Sequence, residues 1–315
     1  MGRLPNFFVV GAPKAGTTSL YHYLDQHPQI YMSPIKEPHF FAAEVRPENC
    51  DPNVRRALAQ ENRGLDEFLS GQMREKRFGG IVTSWEDYVH LFANSNREAA
   101  LGEASVCYLW SPTAPSQIAK KIPDAKIIVM LRDPADRAFS QYLQGLGSGA
   151  IRWSFREHIQ RNLRHHSAQL CVHYPFLEFG LYAEQLGRYL ERFGQNVWIG
   201  LYEDFKKRPM ESFQKICQFL GVAPEFLPDM TRQHMEAQVP RIPAVGWLKG
   251  AGLWQAAARA TPASLRPLIR RTLIRRPGVT QMDPADRRYL VEFYREDIRK
   301  LASILDRDLD GWLTL

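Results

Sequence analysis

The stretch from Phe7 to Leu20, FFVVGAPKAGTTSL, constrains the fold more than any other part of the chain. Four apolar residues run directly into Gly11, the pattern of a strand buried on both faces of a parallel sheet. A glycine-bounded loop at 11–16 follows, and the spacing predicts a helix over 17–26, ended by His27-Pro28. Strand, loop and helix N-terminus together make an anion cradle, because backbone N–H groups converge where the helix dipole is positive. Gly11 and Gly16 have the separation found in a mononucleotide loop. Thr17, however, stands where such a loop has its lysine, and the lysine has moved forward to Lys14. The candidate anion-binding residues are Lys14, Ala15, Gly16, Thr17, Thr18 and Ser19, three of which bring hydroxyl donors.

The same rhythm recurs downstream. KIIVML at 126–131 predicts a second buried strand, with Asp133 as N-cap and Pro134 at N1 of the next helix. VWIGL at 197–201 predicts a third. The helix after Pro209 sets Phe213, Ile216, Cys217 and Leu220 on one face and stops at Gly221. Asp283-Pro284 opens a last helix with Leu290, Phe293, Tyr294, Leu301 and Leu305 as its core stripe. Strands alternating with helices imply an α/β fold, a P-loop-like parallel sheet flanked by helices, within a single domain over 1–315. Two segments break the rhythm. Residues 46–80 are polar and glycine-punctuated, as in an insertion or mobile lid. Residues 240–280, rich in Arg, Pro, Ala and Trp, read as a helical cap over the carboxyl edge of the sheet.

The formal charge of +7, from 41 basic and 34 acidic residues, suits an anionic ligand better than a nucleic-acid footprint. Cys50, Cys107, Cys171 and Cys217 are scattered without a CxxC, which favours a reducing compartment over a disulfide scaffold. No apolar run reaches membrane-spanning length and no signal-peptide core follows Met1, so a cytoplasmic location is expected, with peripheral membrane contact left open. His165, His166, Cys171 and His173 are metal-ligand types, but their spacing fits no zinc pattern, and no metal is expected. The basic run at 265–277 reads first as a solvated helix face.

A second anion site is suggested by VMLRDPADRAFSQYL. Arg132 lies at the carboxyl end of a strand, where α/β ligands bind, and Ser140 lies two turns into the following helix. A guanidinium and a hydroxyl there suit a phosphate. Taken alone, Arg132 reads equally as part of a structural salt bridge.

At this point PKAGTTSL, KEPHFF, GEAS with the following YL, LRDPADRAFSQYL and LYEDFKKRPMESFQKICQFLG, in that order over residues 7–221, resemble the sulfotransferase family that uses 3′-phosphoadenosine 5′-phosphosulfate (PAPS). The closing segment from Met282 to Trp312 also resembles the family's last helix. The likeness is greatest to bacterial members and to the carbohydrate-modifying branch. The resemblance implies that 14–19 hold the 5′-phosphosulfate, that Arg132 and Ser140 hold the 3′-phosphate, and that Lys14 stabilises the leaving oxygen without a divalent metal. It also implies that Glu37 of KEPHFF takes the acceptor proton, since GEASVCYL has no histidine where small-molecule members place one. Lys36 and His39 flank that base. Tyr202 is an adenine neighbour or a core tyrosine, and Arg241 is a further contact for the 3′-phosphate, in competition with Lys249-Gly250. Phe40, Phe41 and Trp85 read as packing residues. The acceptor would be a carbohydrate or another small molecule, and 3′,5′-adenosine bisphosphate (PAP) the second product. Two alternatives remain open: a small-molecule kinase with a degenerate loop, and a nucleotide-binding protein without turnover.

Overall fold

A computed structural model of the chain describes residues 3–50, 52–148, 150–164, 175–231, 239–240, 274–275 and 281–315. Its elements in chain order are β1 (Phe7–Gly11), α1 (Thr17–Asp25), β2 (Ile30–Met32), β3 (Ile35–Lys36), α2 (Pro52–Glu61), α3 (Leu65–Ser70), β4 (Arg77–Phe78), α4 (Trp85–His90), β5 (Ala100–Ala104), α5 (Ala114–Lys121), β6 (Lys126–Leu131), α6 (Pro134–Ser148), α7 (Phe155–Arg164), α8 (Tyr182–Phe193), β7 (Val197–Leu201), α9 (Tyr202–Lys207), α10 (Pro209–Leu220), two short strands β8 (Val239–Pro240) and β9 (Ile274–Arg275), and the C-terminal helices α11 (Pro284–Leu305) and α12 (Asp310–Leu313).

Five strands form one sheet in the order β2-β5-β1-β6-β7, and every pairing in it is parallel. β1 is central because it can be. Phe7, Phe8, Val9 and Val10 are all fully buried, and their apolar side chains face helices on both sides of the sheet. β1 pairs with β5 on one side and β6 on the other, so strand order reverses beside it. That reversal opens a crevice at the carboxyl end of β1, the place where open α/β sheets bind ligands.

β1, β6, β7, α1, α10 and α11 fall where the sequence predicts them. Asp133 caps α6, its Oδ1 accepting from the N–H groups of Ala135 (2.9 Å) and Asp136 (3.1 Å). Gly221 ends α10 in a left-handed conformation, φ 78°.

Residues 46–80, polar in composition, nevertheless carry α2 and α3 and return as β4. β4 pairs in parallel with β3, placing Arg77 beside Ile35 and Phe78 beside Lys36. Leu58, Leu65, Leu69 and Met73 are the buried anchors of this segment. Of the segment 240–280, only 240 and 274–275 are among the described residues, so the expected cap lies outside them, as do Arg241, Lys249-Gly250 and the His165–His173 cluster. β8 and β9 pair antiparallel. Among the described residues, Cys50, Cys107 and Cys217 are free thiols, and no helix is long and apolar enough to cross a membrane.

Candidate active site

The donor side of the crevice is built from the loop after β1. Gly16 sits at the N-cap of α1 with φ 83°, a left-handed conformation that glycine adopts without strain. A Cβ added there would lie 3.1 Å from the Tyr202 ring, which would have to give way slightly to admit a side chain. Having no side chain, Gly16 cannot cap the helix, and the first-turn N–H groups of Thr17, Thr18 and Ser19 are left to a ligand. Thr17 is buried, while Thr18 and Ser19 are half-buried.

Lys14 also has positive φ, 67°, which turns this loop back over the end of β1. Burial, and then the neighbouring Arg132 guanidinium, push its ammonium down to about 8, against the opposing pull of Glu37. Arg132, at the end of β6, donates from Nη1 to the Lys14 carbonyl at 3.0 Å. The Arg132 guanidinium carbon lies 4.6 Å from the Tyr202 ring centroid, a cation–π contact, and its own carbonyl accepts from Tyr182 Oη at 2.9 Å. Tyr202 is therefore part of the loop's wall, packed against both Gly16 and Arg132. Ser140 lies in α6 and is half-buried. Asp133 is fully committed to capping and to Arg287, whose Nη2 donates to Oδ2 at 2.8 Å. Among the described residues no His, Cys, Asp and Glu group has the makings of a metal site.

The acceptor side is built from the short ribbon β3–β4 and the turn after it. Glu37 and His39 both have positive φ, 69° and 58°, around Pro38. Such conformations cost on the order of 1–3 kcal/mol each and persist only where surrounding contacts hold them. Here the holding contacts are Glu37 N–H to the Ala104 carbonyl (2.9 Å) and His39 N–H to Ser105 Oγ (3.2 Å). The Glu37 carboxylate, 29% exposed, accepts from Lys36 Nζ at Oε1 (2.5 Å) and faces His39 Nε2 with Oε2 (3.8 Å). Burial works against its charge, but Lys36, His39 and Lys14 outweigh it and hold the carboxyl below its ordinary value. Lys36 itself is fully buried, a placement a lysine tolerates only when paired.

Glu61, at the end of α2, lies over the same ribbon. Its carboxyl occupies the space a Gly79 Cβ would need, and Gly79 N–H donates to the Lys36 carbonyl at 2.9 Å. Solvent still reaches Glu61, yet the surrounding protein and then the Glu37 charge raise its carboxyl, against Arg77.

Beneath the turn lies Glu103 in β5, fully buried. Burial pushes it up to about 8, although the hydroxyls of Tyr108, Tyr88 and Ser105 face it. Neither of its oxygens, nor Tyr88 Oη, completes a hydrogen bond. Burial thus favours the neutral form of Glu103 and seals it from the crevice, unlike Glu37. Phe41 is core, Phe40 stacks on Tyr88, and Trp85 packs on Tyr88 with Lys121 above it at 4.5 Å, all as packing residues.

Lys14, Arg132 and Tyr202, widely separated in sequence, thus meet at the carboxyl ends of adjacent strands, and Glu37 on the separate ribbon lies near enough for its charge to act on Lys14. The burial of Lys36, the approach of Glu61 to Glu37, and a contact between His39 and Cys107 escape a reading of the sequence. Each joins residues far apart in the chain, and none has a local spacing that marks it.

Residues 5–225 match the model of a family described as "Sulfotransferase family". Over 348 aligned residues the chain is 27% identical to carbohydrate sulfotransferase 15 of Mus musculus, covering 99% of this chain and 55% of that protein. It is 30% identical over 228 residues to the human bifunctional heparan sulfate N-deacetylase/N-sulfotransferase 3, covering 71% of this chain and 23% of that one. The chain thus spans about half or less of the length of these relatives. The crystal structure of a sulfotransferase from Alicyclobacillus acidocaldarius superposes with a TM-score of 0.71 at 30% identity, covering 99% of this chain and all of the other. With the family model covering residues 5–225 and a 30% identical sulfotransferase superposing over 99% of the chain, the protein belongs to the sulfotransferase family.

Proposed function

We propose that the protein transfers a sulfuryl group from PAPS to a hydroxyl or amine of a carbohydrate or other small-molecule acceptor. The observation that carries this reading is the approach of Lys14 to Glu37. A cation on the donor loop and an ionised carboxylate on the ribbon are close enough for each to shift the other's proton affinity. An α1 N-terminus without a side-chain cap fits a phosphosulfate, and Arg132 with Ser140 fits a second phosphate.

PAPS supplies the sulfuryl group, whose bond to the 5′-phosphate oxygen breaks as a bond to the acceptor oxygen or nitrogen forms. Lys14 places positive charge where the departing oxygen becomes negative. Glu37 takes the proton that the acceptor loses, and Lys36 keeps that carboxylate ionised and fixed beforehand. The carbohydrate class of acceptor draws support from the names of the relatives. A cytoplasmic setting, and closure of 46–80 over the bound pair, belong to the same proposal.

The test is incubation with radiolabelled PAPS and pools of glycans, glycosides and phenols, with EDTA in excess, followed by mass spectrometry of the labelled products. Sulfated product formed in EDTA supports the reading. Transfer of phosphate from ATP that requires Mg²⁺, with none from PAPS, would replace it with a kinase.

A further inference from the structure

The His39 ring is suspended between two groups. Its Nδ1 lies 3.0 Å from Cys107 Sγ, and its Nε2 faces Glu37 Oε2 at 3.8 Å. Both His39 and Cys107 are buried, at 4% and 1% exposure, so the thiol contact is made away from bulk solvent. The loop that carries the thiol also clamps the turn that carries the ring. Ala104 and Ser105 accept the backbone N–H groups of Glu37 and His39.

A neutral imidazole has one N–H and one lone pair, and its neighbours decide which nitrogen keeps the hydrogen. With the hydrogen on Nδ1, the Nε2 lone pair would point at a carboxylate anion and the thiol hydrogen would lose its acceptor. With the hydrogen on Nε2, both contacts are attractive. We propose that Cys107 is a positioning residue: its thiol donates to His39 Nδ1 and so fixes the Nε2–H tautomer, which turns an N–H toward the Glu37 carboxylate. One oxygen of Glu37 is then held by Lys36 and the other faces the His39 N–H, and the remaining lone pairs are left for the acceptor. Burial holds the Cys107 thiol well above its ordinary value, so it stays a donor. Burial likewise lowers the imidazolium, with Glu37 opposing and Lys36 assisting, so the ring stays neutral.

The catalytic consequence rests on Glu37 as the base, but the tautomer does not, and the two are measured separately. The full chain, labelled with ¹⁵N-histidine and free of nucleotide, is examined by NMR at neutral pH. His39 is assigned by the signals lost in His39→Gln. We expect the Nε2–H tautomer in the wild type and in Cys107→Ser, whose hydroxyl still donates, and a mixed population in Cys107→Val. Release of PAP from PAPS by transfer to water should slow about five- to tenfold in Cys107→Val, the effect of one lost buried hydrogen bond, and recover in Cys107→Ser. PAP affinity by calorimetry should be the same in all three. An Nδ1–H tautomer or an imidazolium in the wild type would overturn the proposal, as would an unchanged tautomer in Cys107→Val. Should Cys107→Val not fold, the wild-type and Cys107→Ser spectra still decide it. Failure of the base reading has a different signature: Glu37→Gln would release PAP at the wild-type rate while the tautomer pattern stood.

Discussion

The donor loop gathers cations around an uncapped helix end, whereas the acceptor ribbon gathers carboxylates and must keep one of them ionised and free. Burial, and then the crowding of Arg132, lowers the lysine. Glu37 is stabilised by Lys36, His39 and Lys14 together, and the support lowers the carboxyl. Each side therefore leans on the other: Glu37 props up the charge on Lys14, and Lys14 that on Glu37.

The largest effect that separates the halves comes from Glu37→Gln. The variant keeps size and polarity but accepts no proton, so turnover should fall about 10²–10⁴-fold, while PAP affinity by calorimetry barely moves. Near-wild-type turnover would show that the two sides are not divided as described, and His39 would be the next base to test. Lys14→Ala comes next. Its charge serves the bound donor and the departing oxygen alike, so affinity and rate should both fall, the rate by roughly 10²–10³-fold as for other lost electrostatic donors. A loss confined to affinity would restrict Lys14 to binding.

A smaller effect comes from pH. Lys14 in the free enzyme loses its proton near pH 8. Charge is present below that value and lost above it, so kcat/KM for the donor should drop about tenfold per pH unit on the alkaline side. Glu37, held below its ordinary value, should add no acid limb above pH 4.5. A flat profile through pH 9 would remove the assignment of Lys14.

The smallest effect concerns stability. Glu103 binds its proton in the folded chain up to about pH 8, against an ordinary value of 4.5. Its contribution is therefore fully present below pH 4.5 and lost as pH rises through about 8, because the folded state holds the extra proton across that window. Glu103→Gln should accordingly gain Tm relative to the wild type between pH 5 and 8.5, with no matching change in PAP affinity. A constant difference across that range would mean that Glu103 is already ionised.

The fold of the loop after β1 is almost wholly legible in the sequence, because β1, the loop and α1 are contiguous and each is marked by a local signal: an apolar run, paired glycines, a hydroxyl-rich first turn. Around the β3–β4 ribbon the sequence singles out only Glu37 and its neighbours as candidates. β5, ALGEA, hides as a strand because it holds a glycine and a glutamate. The fold explains both. A Cβ on Gly102 would fall 2.0 Å from the Phe7 ring, and Glu103 is kept neutral by burial. The segment 46–80 hides for another reason. Its apolar anchors are few and set among charges, so α2 and α3 look like loop by composition while Leu58, Leu65 and Leu69 seat them in the core. His39 and Cys107 are 68 positions apart, and the pairing of β2 with β5, continued by the Glu37 N–H bond to the Ala104 carbonyl, brings their loops together.

Arg132 donates to the Lys14 carbonyl from a strand more than a hundred positions later, and stacks on Tyr202 as it does so. The shape of the 5′ loop is thereby tied to the residue assigned to the 3′ anion. Fragments of the nucleotide should then bind with a coupling free energy: adenosine 3′-phosphate and pyrophosphate together should hold more tightly than the product of their separate affinities allows, and each should raise the other's by the same factor. In Arg132→Lys, which keeps the charge but loses the planar fork, that mutual factor should collapse toward one while each fragment still binds.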